Sequence, residues 1–222
     1  RKEPEALLGE AIARHGNPYP RGDLRHARSF DEREADIRSI TPEQLVAFHA
    51  RFYGVGKATF GAAGDLDVVA VRSALEKAFA GWGPGAAFTR IPDPLVVPKP
   101  ARFVIQTPDK QNASMALKLP LALNDRSSEH VAMRMADYLL GGGGHSRLWK
   151  RIRETDGLSY DVRTGVSWNA FEEHSTFTAS AIFAPQNAPQ VEAAFRDELT
   201  RALERGFTAQ ELAEGKRGLL AF

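Results

Sequence analysis

The sequence has no cysteine, which excludes disulfides and thiolate metal sites and leaves the compartment open, periplasm or cytoplasm if the source is bacterial. No apolar run approaches the length of a bilayer span, and the first residues, RKEPEALLGE, lack a signal peptide's basic-then-apolar order. Charge of one sign is also lacking, because 29 Lys and Arg offset 28 Asp and Glu to leave +1. No global field therefore points to nucleic acid or an anionic membrane, and neither is expected as a partner. Local sites must carry the function.

What is present is an ordinary globular composition: 222 residues, 43% hydrophobic and 26% charged, enough to bury a substantial core. The chain begins at Arg1 without methionine and ends at Phe222 inside a helical pattern, so it is expected to be a fragment of a longer polypeptide.

Residues 4–15 have helical apolar spacing, and GNPYPRGD breaks it with two prolines and two glycines. Residues 1–35 are therefore expected to be an arm belonging to a preceding domain, and 36–222 a domain truncated at its C-terminus. From Ser39 to Tyr53 a second helix is expected, with Thr41 as N-cap, Pro42 at the first position and Leu45, Phe48, His49 and Phe52 on one face. KATFGAAG, residues 57–64, reads as a strand, followed by a helix capped at Asp65 or Asp67. A proline-rich connector runs from Gly83 to Pro100.

RFVIQT (102–107) and SMALKL (114–119) alternate as strands and suggest a first hairpin. A helical pattern, NDRSSEHVAMRMADYLL, is then interrupted by GGGG at residue 141, and HSRLWKRIRET resumes it. Residues 159–168 and 175–183 suggest a second hairpin. Two helices follow, separated by Gly206, the second opened by a capping box of Thr208 and Glu211. The expected fold class is α+β, a mixed and mainly antiparallel sheet with helices packed on one face.

No HxxEH or HExxH occurs, and the six histidines are scattered. RSSEH, residues 126–130, has Arg126 where an inverted zinc motif needs its first histidine. A catalytic zinc needs about three protein ligands, so no metal site is expected in this chain, neither at His49 nor at His145. LLGGGGHSRL lacks the Gly-Lys-Ser/Thr that completes a phosphate loop. Its simplest reading is a helix C-cap and a tight entry into the next helix, which needs only glycine's tolerance of positive φ.

From about Asp36 onward, the order TPEQLVAFHARFYGVGKATFGAAGDLD, connector, strand pair and LLGGGGHSRLWKRIRETDGLSYDV resembles the second domain in each half of the pitrilysin, insulinase and mitochondrial-processing type zinc metallopeptidases. SRLWKRIRETDGLSYDV is its most specific segment: an Arg ends a helix, a Gly-Leu turn follows, and a Tyr stands seven residues after that Arg. Here these are Arg153 and Tyr160.

The resemblance implies a zinc-dependent endopeptidase whose Zn2+ is held by another domain or subunit through HxxEH and a distant Glu, so this fragment alone should be inactive. Arg153 and Tyr160 are the implied catalytic residues, donating hydrogen bonds to the scissile carbonyl as charge collects on its oxygen. Arg151 and Arg163 are nearby competitors. Without the family, a cation at a helix C-terminus and a Tyr in a strand are ordinary structural features. The loop of Gly141, Gly142, Gly143, Gly144 and Ser146 is an implied substrate-binding element, by analogy with a longer glycine-rich loop of the mitochondrial enzyme's noncatalytic subunit. Expected partners are a peptide or unfolded polypeptide and the zinc-binding half, in the same chain or a partner subunit. Two rival readings remain: a noncatalytic scaffold of the same fold, and a module that captures extended peptides without cleaving them.

Overall fold

The computed structural model describes residues 3–56 and 58–220, and these form two compact units. One is Asp31–Ile91; the other comprises the described residues up to Phe30 and those from Pro92 onward.

In the Asp31–Ile91 unit, helix formation follows local signals. The acid-rich α2 (Phe30–Ser39) is polar on most sides and is supported by a Glu34–Arg38 pair of 2.6 Å at i,i+4 spacing. Helix α3 (Pro42–Phe52) starts at a reciprocal capping box: the Thr41 hydroxyl accepts from the Gln44 amide at 3.3 Å, and the Gln44 side chain accepts from the Thr41 amide at 3.0 Å. Asp67 caps α4 (Val68–Phe79) by accepting from the amides of Val69 and Ala70 at 3.0 Å each. His49 stacks on Tyr53 with ring centroids 4.7 Å apart and meets Trp82 edge-on at 5.6 Å, an aromatic packing role.

The expected strand at 57–64 does not form among the described residues 58–64, and Lys57 lies outside them. No other strand occurs among the described residues of this unit, so an extended segment there has no ladder partner.

The larger unit contains α1 (Pro4–Arg14), β1 (Ala113–Leu121), α5 (His130–Asp137), β2 (Ser159–Ser167), β3 (Ser175–Phe183), α6 (Ala188–Arg205) and α7 (Ala209–Leu220). Its sheet is wholly antiparallel in the order β1-β3-β2. The β2–β3 hairpin forms as expected, but the first hairpin does not. Residues 102–107 make no ladder, and β1 instead pairs with β3 from Ala113↔Phe183 to Leu121↔Ser175. A turn does close between Thr107 and Lys110. The turn and the start of β1 are engaged by the N-terminal end of α1: Lys110 pairs with the N-cap residue Glu3 at 2.6 Å and Ser114 donates to Glu5 at 2.5 Å. Pairing depends on which strand is available in space, and that information is not local.

The core lies on one face of this sheet. Phe177, Ala179, Ala181 and Phe183 alternate inward along β3 and are buried with Leu148, Ile152, Val162, Val191, Ala194 and Phe195. At about 25 cal/mol per Å2 of apolar surface, each fully buried aliphatic side chain contributes roughly 1.5–3 kcal/mol. The fold is thus α+β, an antiparallel sheet with helices packed on its core face, while α1 reaches β1 at Ser114. No helix among the described residues is long and apolar enough to cross a membrane.

Candidate functional site

The helical pattern expected on either side of the glycines is present, but after α5 its hydrogen-bond register widens from α to π. After α5, the chain forms a π-helical turn over Tyr138–Gly142, and the Gly143 amide closes it by donating to the Tyr138 carbonyl at 2.9 Å. A second π-helix spans Trp149–Thr155 and carries Arg153 in its last turn. π-Helical segments are rare and recur at functional sites.

Trp149 holds Arg153: the guanidinium carbon sits 4.1 Å from the centroid of the Trp149 ring. Arg153 makes no ion pair among the described residues. Both competitors are engaged by acids. Arg151 donates to Asp156 at 2.6 Å, a pairing that also raises its pKa, and Arg163 donates to Asp161 at 2.9 Å. Of the three, Arg153 alone keeps its donors uncommitted to a carboxylate among the described residues.

Between Arg153 and Tyr160 the chain reverses through Gly157, whose φ of 62° is the left-handed conformation that glycine adopts without a Cβ penalty. The turn is pinned at Leu158, whose amide donates to the Ile152 carbonyl at 2.8 Å and whose carbonyl accepts from Asn187 Nδ2 at 3.0 Å. Tyr160, the second residue of β2, has 72% of its surface exposed, and its hydroxyl makes no hydrogen bond among the described residues. The Gly157 turn is the only link between Arg153 and Tyr160 that the structure establishes; their side chains do not bond to each other.

Arg147 anchors the start of the Trp149–Thr155 helix. It forms two hydrogen bonds to Glu211, at 2.7 and 2.9 Å, donates to the Gly206 carbonyl at 2.9 Å, and lies over the Phe207 ring at 4.5 Å. This guanidinium holds the Glu211 carboxyl down at about 2. Glu211 also completes the expected capping box of α7, accepting from the Thr208 amide at 2.7 Å while the Thr208 hydroxyl accepts from the Glu211 amide at 3.2 Å. Arg147, Lys150, Arg151, Thr155, Glu198 and Glu211 line a cleft of about 430 Å3 that includes neither Arg153 nor Tyr160.

None of the four loop glycines has positive φ, so conformational freedom is not why glycine stands there. Close approach is. A Cβ on Gly141 would lie 2.6 Å from Thr164 Cγ2 and 3.0 Å from its amide, and one on Gly143 would lie 2.9 Å from the Tyr138 ring. Gly141, Gly143 and Ser146 are buried, whereas Gly142 and Gly144 present backbone to solvent. Behind the loop, burial raises the pKa of the Asp137 carboxyl, whose Oδ1 has no partner.

Sequence reading did not single out Trp149, Asp156 or Ser159. The first two were readable in principle, since Trp149–Arg153 has i,i+4 spacing and Asp156 follows Arg151 across the helix end.

Among the described residues no three His, Asp or Glu side chains converge on a point where an ion would sit. With no cysteine and no HxxEH in the sequence, the residues present do not fit a zinc ion.

The chain matches the peptidase M16 inactive domain family over residues 39–219. It is 29% identical over 189 residues to an uncharacterized zinc protease of Streptomyces coelicolor, covering 79% of this chain and 39% of that protein. It is 26% identical over 193 residues to an uncharacterized zinc protease of Mycobacterium tuberculosis, covering 82% and 42%. The chain thus spans about two-fifths of the length of these relatives. In fold it is similar to the peptidase M16 inactive domain from Pseudomonas fluorescens, with a TM-score of 0.77, 24% identity, and coverage of 99% of this chain and 51% of that one. A protease from Helicobacter pylori gives a TM-score of 0.75 at 19% identity, covering 99% and 52%.

Proposed function

The chain belongs to the peptidase M16 inactive domain family, and from that membership we propose that it is the substrate-holding half of a zinc endopeptidase. The metal would be held by another domain or subunit and would supply the Lewis-acid chemistry of peptide hydrolysis. This chain contributes a wall of the peptide chamber and two hydrogen-bond donors.

The Arg153 guanidinium and the Tyr160 phenol donate to the scissile carbonyl and bind its oxygen more tightly as negative charge develops there, which lowers the barrier rather than only improving affinity. The observation that carries this reading is the state of the three arginines: Arg151 and Arg163 are spent on Asp156 and Asp161, while Arg153 is braced by an aromatic face with its donors free of acids. A carboxylate partner offsets the charge of Arg151 and of Arg163 and fixes where each guanidinium lies, whereas Arg153 rests on a neutral ring with its charge unpaired among the described residues. Gly142 and Gly144, the exposed residues of the glycine loop, are the part of it an extended peptide can reach.

The test is peptide hydrolysis by the intact zinc-containing assembly, with Arg153→Ala and Tyr160→Phe compared with wild type at equal zinc content. Loss of an oxyanion donor lowers kcat by about 100-fold or more. Unchanged kcat in both variants would refute the assignment, and a wild type that binds peptide without cleaving it would establish a capture module instead.

A further inference from the structure

We infer that Ser159 is a positioning residue for Tyr160: its buried hydroxyl holds the β-bulge that turns the Tyr160 phenol out of the sheet. The inference rests on the reading of Tyr160 as a substrate contact.

In the β2–β3 ladder Ser159 faces Phe183 and Asp161 faces Ile182, so two steps along β2 match one step along β3 and Tyr160 is the extra residue. The consequence follows from strand periodicity. Val162 points inward and is fully buried, and in an unbroken strand Tyr160, two residues earlier, would point the same way. The bulge inverts this. Ser159 takes the inward position at 8% exposure, and Tyr160 stands at 72%.

No residue here has the left-handed conformation on which glycine-based bulges are built. The restraint is the Ser159 side chain. Its Oγ lies 2.6 Å from the Asp161 carbonyl oxygen and 2.7 Å from the Ile182 carbonyl oxygen, and it accepts from the Asp161 amide at 3.2 Å. The single hydroxyl proton is shared between the two carbonyls, one on each strand of the Asp161–Ile182 pair that follows the bulge. One small side chain thus bridges the ladder where the regular hydrogen bonds are interrupted, in a place where water does not compete.

The experiment uses the intact assembly and compares Ser159→Ala, Ser159→Thr, Tyr160→Phe and the double variant Ser159→Ala/Tyr160→Phe, with kcat and KM measured separately. Crystal structures of the two Ser159 single variants report the β2–β3 register. Ser159→Ala is expected to lower kcat by about tenfold or more with a smaller change in KM, and Ser159→Thr, which keeps the hydroxyl, to restore most of it. The double variant should be no worse than Tyr160→Phe, because both changes remove one interaction. Additive losses, or an intact bulge with full kcat in Ser159→Ala, would overturn the inference while leaving Tyr160 its role. No effect of Tyr160→Phe would overturn the substrate-contact reading itself, and this inference with it.

Discussion

The central carbon of the Arg153 guanidinium lies over Trp149, 4.1 Å from the ring centroid and one helical turn away along a π-helix. In an α-helix the two residues would also be neighbours, but the wider π turn changes the direction in which the last side chains leave the helix. The ring limits the rotamers of a side chain that carries about 2 kcal/mol of rotameric entropy, so it pre-organises the donor.

Trp149→Ala is therefore expected to weaken catalysis without abolishing it. Cation–π contacts at exposed sites are worth about 0.5–1 kcal/mol, a two- to fivefold loss in kcat/KM, and Trp149→Phe should lie between. Steady-state peptide hydrolysis by the intact assembly checks this. A loss equal to that of Arg153→Ala would mean that Trp149 itself contacts substrate.

Arg151→Ala and Arg153→Ala should separate cleanly. Arg151 is an exposed ion-pair partner of Asp156, and such pairs contribute about 0–1 kcal/mol of stability. Its loss should shift Tm by only a few degrees and leave kcat within about twofold, against the roughly 100-fold fall for Arg153→Ala. Parallel thermal melts and kinetics decide it.

Acid should loosen the junction between α6 and α7. Glu211 is held at about 2, well below the usual 4.5, first by Arg147. Because its folded pKa is depressed, its contribution is complete above about 4.5 and is lost as pH falls toward 2. Tm measured between pH 6 and pH 3 should fall further in wild type than in Glu211→Gln. Equal falls would show that the pair adds nothing to folding.

Asp137 has the opposite sign. Burial raises its pKa, so the charged form opposes folding, and this cost sets in as pH rises through the carboxylate range. Asp137→Asn should raise Tm at pH 7 and lose that advantage near pH 3. A lower Tm at pH 7 would mean that the carboxylate has a stabilising partner.

Gly141→Ala should cost about 1–3 kcal/mol by overpacking, because the added Cβ meets the Thr164 side chain and amide while the backbone conformation itself accepts alanine. Chemical denaturation of the Gly141→Ala and Gly144→Ala variants makes the comparison, since nothing stands within 4 Å of a Cβ on Gly144.

The sequence by itself determined what depends on near neighbours. Thr41 with Gln44 and Thr208 with Glu211 set helix starts, Asp65 or Asp67 was readable as the cap of α4 and the structure uses Asp67, and the alternation of Ser175–Phe183 marked a strand whose bounds the structure reproduces. Family-specific residues around Arg153 and Tyr160 also named the family. Tertiary structure alone decided the rest. Residues 102–107 alternate as well as β1 does, yet both sides of β3 belong to β1 and β2, and no local pattern tells a strand which partner it will have. Gly141, kept small by Thr164, and the bulge that exposes Tyr160 depend on contacts between segments far apart in the chain. Periodicity places Tyr160 on the same face as Val162. A hydroxyl reaching across to Ile182, 23 residues away, places it on the other.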